Sequence, residues 1–200
     1  MIKRALDLLI CFLIIIFGFP IIVLIIFCQI IFLGFPVLFV QKRPGKNGKI
    51  FSIFKFRTLH NYKDNKGDFL PDAQRKSSYG TFLRKTSLDE LPEIYNVLIG
   101  EMSIVGPRPL MVEYLNLYNS YQSKRHDVLP GVTGWAQING RNSISWEEKF
   151  ELDVWYVNNR TLMLDLKIIF LTIFNVFLMK NINQSKEINM EPFKGSEKLK

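Results

Sequence analysis

Between Leu8 and Val40 the chain carries no charged side chain, and the only strongly polar residue there is Gln29. About 20 apolar residues suffice to cross a bilayer core, so this run is too long for one straight crossing. It also far exceeds the roughly 7–15-residue apolar core of a signal peptide, and no small-x-small cleavage site follows it. Pro20 sits in its middle. A proline there has no amide hydrogen for the Ile16 carbonyl, and its ring crowds that carbonyl. Gly18 weakens the same turn. The arms on either side, roughly residues 5–19 and 20–34, would each be about 22 Å long. Neither matches the roughly 30 Å hydrocarbon core.

Flanking charge sets the orientation. Lys3 and Arg4 precede the run, and Lys42, Arg43, Lys46 and Lys49 follow it. Positive residues stay on the cytoplasmic side of a membrane, so both ends are expected there. Residues 1–40 are therefore read as a helix–break–helix hairpin, broken at Pro20, that enters and leaves by one face. Gly-Phe-Pro recurs at 34–36, where Pro36 closes the second arm. Cys11 and Cys28 both fall inside the run and read as small hydrophobes rather than a disulfide pair.

The remainder is polar enough to fold in water, and residues 41–180 are expected to form one catalytic domain on the cytoplasmic face. Ile50 to Thr58 reads as a strand, with Phe54 and Phe56 on one face and Ile53, Lys55 and Arg57 on the other. Residues 60–72 read as a loop, 73–85 as a helix, and 89–98 as a second helix ending at Gly100. Gly106 to Pro109 is a stiff turn, and 110–125 an amphipathic helix. The glycines of 130–141 suggest a loop or short strands shaped around a ligand. Trp146, Phe150, Val154 and Val157 fall at helical spacing. Residues 168–179 are apolar but too short to span, so they pack in the core or lie along a membrane surface. Residues 181–200 are polar without periodicity and read as a weakly ordered tail. The fold class is α/β, mostly helical with little strand. The membrane hairpin packs on a small domain with amphipathic interfacial helices.

The chemistry centers on Ser87-Leu88-Asp89-Glu90-Leu91-Pro92. Ser87 and Glu90 match a capping box, but that register puts Pro92 where its missing donor costs a bond. A helix starting at Asp89 puts Pro92 in the first turn, where the loss is harmless. Asp89 and Glu90 then lie at the positive end of the helix dipole, which favours carboxylates and attracts phosphate. An ionised aspartate can attack a phosphoryl group, and two adjacent carboxylates can hold Mg²⁺ against a diphosphate.

Lys55, Arg57, Arg84, Arg108 and Arg141 all stand beside strands, turns or glycines, and Arg108 is flanked by Pro107 and Pro109. A rigidly held guanidinium suits phosphate. The net charge of +8 fits an acidic partner. Nucleic acid is not expected, because these cations surround Gly/Pro turns rather than a reading helix or strand. From the residues alone, the chain is a membrane-docked protein that handles an anion, whether as an enzyme or as a binding protein.

Four stretches carry a resemblance: Lys55-Phe56-Arg57-Thr58, residues 87–110, PGVTGWAQINGR at 130–141, and residues 150–166. Together they resemble the bacterial sugar transferase family, in particular its small monotopic polyprenyl-phosphate phosphoglycosyl transferases. The resemblance implies a re-entrant helix and an Asp89–Glu90 dyad working with Mg²⁺ at the bacterial inner membrane. It implies a UDP-sugar donor, with an N-acetylated amino sugar expected, and undecaprenyl phosphate as acceptor. It implies an aspartyl phosphosugar intermediate; direct transfer without one is the alternative. It assigns Arg108 and Arg141 to substrate phosphates and Asp153 to the active site. One departure stands out. Such sequences carry serine just before the helix-breaking proline, and here that residue is Phe19. Its side chain cannot satisfy a backbone group freed at the bend.

Overall fold

The computed structural model describes residues 1–140, 144–177 and 191–195. Its first element, α1 (Ile2–Leu33), is a single helix with Pro20 inside it. The expected break into two arms is thus corrected to one continuous helix. Proline deletes one hydrogen bond and displaces one carbonyl, which bends a helix without ending it. α1 is long and apolar enough to cross a membrane, with a mean hydropathy of 3.4 over its most apolar window.

Both ends of α1 are fastened to the rest of the chain, while Phe12, Phe17, Phe19 and Leu24 in its middle are exposed. Near the start, Asp7 accepts from Ser103 Oγ and the Ile104 amide at 2.9–3.0 Å. Arg4 donates to the Val97 and Leu98 carbonyls. Near the end, Gln29 Nε2 donates to the Arg57 carbonyl at 2.6 Å. Gly34 closes the helix at φ 70, a conformation that suits glycine. Cys11 and Cys28 are free, as expected.

β1 (Leu38–Pro44) pairs antiparallel with β2 (Ile50–Phe56), Leu38 facing Phe56 and Pro44 facing Ile50. Leu38–Val40, assigned from sequence to the membrane hairpin, are the first residues of this strand. Their apolar side chains suit a sheet as well as a bilayer, so hydropathy alone misplaces the boundary. After β2 come a short α2 (Asp72–Arg75) and α3 (Ser78–Thr86). The expected single helix over 73–85 is interrupted at Lys76 and Ser77 because Ser77 caps α3, accepting from the Gly80 amide.

α4 (Glu93–Ile99) follows, then β3 (Ser103–Val105). The expected helix over 110–125 is instead two 3-10 segments, Val112–Leu117 and Gln122–His126. Between them Asn119 and Gln122 exchange side-chain-to-backbone hydrogen bonds, which compete with helix propagation. β4 (Gly131–Thr133) runs parallel to β3 and leads into α5 (Trp135–Ile138). Glycine here permits close backbone packing. A Cβ on Gly131 would lie 2.1 Å from the Gly106 amide nitrogen.

α6 (Trp146–Asn159) starts from a Ser145–Glu148 capping box, and α7 (Leu162–Phe177) closes the body. α7 meets the expectation that this segment packs in the core. Ile168 is fully buried in the core with Phe51, Val97, Met102 and Tyr156, whereas Met163, Phe170 and Phe174 are exposed. Residues 178–190 and 196–200, most of the expected tail, lie outside the described residues. Within 191–195 that expectation is corrected. Phe193 is 4% exposed, seated among Tyr114, Tyr118, Trp146 and Phe150.

Candidate active site

Ser87 sits at φ 56 and ends α3, so its side chain does not cap the next helix. The expected helix start at Asp89 is corrected to Glu93, and Glu90 turns to cations. Leu88–Glu90 form a 3-10 turn, and α4 starts three residues beyond Glu90 with Pro92 as its N-cap. Pro92 thus lies at the helix start, where its missing donor is harmless. The two carboxylates stand on the turn just before the helix rather than on its first residues.

β2 delivers Lys55 to this turn. Its Nζ lies 2.6 Å from Glu90 Oε1 and 3.0 Å from Glu93 Oε1. Arg108, from the proline-flanked turn after β3, donates to the same Glu90 Oε1. Burial alone would raise Glu90, but Arg108 and Lys55 hold it down at about 2. Asp89 is in the opposite state. Burial first, and the charge of Glu90 second, push it up to about 6 from 3.8. Lys55, Arg108 and Arg84 act against that rise. Asp89 makes no hydrogen bond or ion pair with any described residue. The site therefore presents one anchored carboxylate beside one unengaged carboxylate under cationic influence.

Glu93 was missed from sequence. It is 1% exposed, and burial followed by Glu90 raises it to about 7. Lys55 supplies charge to its Oε1, which has no hydrogen-bond donor. Its spacing of three residues from Glu90, which on a helical stretch returns to the same side, was the available signal. Arg125 was also missed. It forms a buried pair with Asp153 Oδ2 at 2.7 Å and donates to the Arg108 carbonyl at 2.7 Å. A cation placed in an irregular 3-10 segment leaves no periodic trace.

The predicted cations divide. Lys55 and Arg108 meet at Glu90. Arg84 donates through Nε to Thr58 Oγ1 at 2.8 Å and influences Asp89 through space. Arg57 does not belong to the site. It is 5% exposed and donates to the carbonyls of Leu33, Gly34, Pro36 and Leu59. Its substrate-binding assignment is corrected to a cap on the exit of α1, where unsatisfied carbonyls attract a guanidinium. Asp153 is 2% exposed and faces Arg125, so it acts behind Arg108 rather than at the open surface. Arg141 lies outside the described residues.

Mg²⁺ commonly takes one or two carboxylates, with phosphate oxygens and water completing its shell. The unengaged Asp89 and the Oε2 of Glu90 fit that modest demand. Among the described residues no group of three or more His, Cys, Asp or Glu forms a fuller cage.

The chain matches the family described as bacterial sugar transferase over residues 1–179. It is 54% identical over 164 residues to the uncharacterized sugar transferase EpsL of Bacillus subtilis (strain 168), covering 82% of this chain and 81% of that protein. It is 39% identical over 191 residues to the UDP-glucose:undecaprenyl-phosphate glucose-1-phosphate transferase of Escherichia coli (strain K12). That match covers 90% of this chain and 41% of the relative. With the undecaprenyl-phosphate galactose phosphotransferase of Salmonella typhimurium, identity is 36% over 156 residues, covering 70% of this chain and 33% of that protein. The chain thus spans well under half of these two longer relatives.

Proposed function

This chain belongs to the bacterial sugar transferase family, and we propose that it moves a sugar-1-phosphate from a UDP-sugar to undecaprenyl phosphate, releasing UMP. The observation that carries this reading is the unengaged Asp89 carboxylate beside Glu90, whose Oε1 is held by Lys55 and Arg108. An Asp89 oxygen attacks the sugar-bearing phosphorus, and the bond from that phosphorus to the bridging oxygen breaks. The bridging oxygen leaves with UMP. A phosphate oxygen of the lipid then attacks the same phosphorus, the acyl-phosphate bond breaks, and Asp89 is regenerated. Lys55, Arg108 and Arg84 supply cationic charge where phosphate charge accumulates. Mg²⁺ held by Asp89, Glu90 or both would add charge neutralisation at the diphosphate.

In this reading α1 is a re-entrant anchor rather than a span. Support comes from the fastening of both its ends to the same body, with the stretch around Pro20 exposed between them. Basic residues flank both ends as well. Residues 41–180 then work on the cytoplasmic face of the inner membrane, with the exposed apolar side of α7 against the lipid.

The test is UMP release from a panel of UDP-sugars with undecaprenyl phosphate and Mg²⁺, comparing wild type with Asp89→Asn. The panel includes N-acetylated amino sugars beside glucose and galactose, the sugars in the relatives' names. Release with one donor, absent in the variant, supports the reading. A phosphosugar adduct on Asp89 formed without acceptor separates the covalent route from direct transfer. No release with any donor from folded protein sinks the proposal.

A further inference from the structure

A groove of about 310 Å³ is lined by Thr58, Lys76, Gly80, Thr81, Arg84 and Lys85 among others, with no acid among its described lining residues. α3 forms one wall and is held rigidly. A Cβ on Gly80 would lie 1.8 Å from the Thr58 carbonyl oxygen, so helix and strand exit are in direct backbone contact. The hydrogen bond from Arg84 Nε to Thr58 ties the two walls together. Lys85 is an exposed residue and makes no ion pair with a described residue.

The opposite side of α3 is bound to the membrane helix. Tyr79 donates to the Ile25 carbonyl at 2.9 Å and stacks on Phe32 with centroids 5.2 Å apart. Leu83 is buried with Ile25 and Phe56. The groove therefore stands about one helix diameter, roughly 10 Å, from the most apolar element of the protein. A soluble nucleotide has no need of that location. A phosphate whose hydrocarbon tail stays in the bilayer does.

We propose that this groove seats the phosphate of the polyprenyl phosphate acceptor, with Lys85 and Thr81 as binding residues and Arg84 between the groove and Asp89. The inference deepens the transferase reading and rests on it. A phosphomonoester dianion is drawn to a basic groove, and Arg84 in its wall stands on the helix that leads directly into the Asp89 turn.

The experiment is steady-state kinetics with undecaprenyl phosphate in detergent micelles and the UDP-sugar that wild type turns over, for Lys85→Ala, Lys85→Glu and Lys85→Arg. The Ala variant should raise KM for undecaprenyl phosphate about fivefold, the scale of one charge contact in water. Charge reversal should raise it further, and Arg should restore it. KM for the donor and the rate of acceptor-free adduct formation should stay within about twofold of wild type. An unchanged acceptor KM overturns the proposal, as does a matching rise in donor KM, which would assign the groove to the nucleotide. Inactive wild type would instead remove the transferase reading itself. Thermal melting confirms that each variant is folded, and Lys85→Gln replaces any that is not.

Discussion

Glu90 Oε1 is held by two cations, Lys55 and Arg108, while Asp89, one residue earlier on the same 3-10 turn, has no partner among the described residues. Neighbours in sequence thus occupy opposite electrostatic states, near 2 and near 6. One carboxylate is anchored by cations, and the other is left unengaged.

Rate should follow the ionisation of Asp89. In the proposed mechanism only the ionised carboxylate attacks, so adduct formation should rise with pH, bend near pH 6, and level off above about pH 7. Below the bend it should fall about tenfold per pH unit. Glu90 stays ionised throughout and adds no second bend. Acceptor-free UMP release in a single turnover, followed from about pH 4.5 to 8, checks this.

The same displacement predicts a stability cost. The fold raises Asp89 above its ordinary value of 3.8, favouring the protonated form, so stability present at low pH is lost as pH rises through about 6. Full burial would make that cost about 3 kcal/mol, and partial exposure reduces it to about 1–2 kcal/mol. Asp89→Asn should therefore melt higher than wild type near pH 7.5 in EDTA, with the gap closing toward about pH 4.

Breaking the Arg125–Asp153 pair should act on stability first. Asp153→Asn leaves a guanidinium that is 3% exposed without its counter-charge, at a cost of about 3–5 kcal/mol. Arg125 also holds the Arg108 carbonyl, so turnover should fall in whatever fraction stays folded. Denaturant unfolding in detergent measures the first effect and UMP release the second.

Arg57→Lys should behave as a folding variant. An ammonium has three donors and cannot reproduce a fork that reaches four carbonyls. A loss of about 2–3 kcal/mol is expected, with donor KM unchanged in the folded enzyme. A raised donor KM at unchanged melting temperature would restore the substrate-binding assignment.

The contrast between Arg57 and Lys55 shows where sequence reading succeeds and where it stops. In the sequence both fall on one alternating face, two residues apart, and both invite a phosphate role. Only the tertiary partner separates them: the end of α1 for Arg57, the dyad turn for Lys55. The helix over 146–159 was legible because its period and capping box agree. Pro92 limits where a helix can begin and so drew attention to Asp89 and Glu90, although the helix starts at Glu93 rather than at Asp89. Arg125, Glu93 and the β1 strand were not legible, since their roles depend on contacts far along the chain.

Among the described residues, the Asp7 carboxylate accepts hydrogen bonds from Ser103 and Ile104, which follow it by 96 and 97 residues. Lys3 waits longer still, for Asp165, 162 residues on. At about 5–20 residues per second of translation, Asp7 stays without these partners for about 5–20 s after it is made. Throughout that time the helix that follows it is apolar enough to enter lipid. The start of α1 therefore gains its fixed place only after β3 has been made, and the Asp7 contact is what joins the apolar helix to the body that follows it.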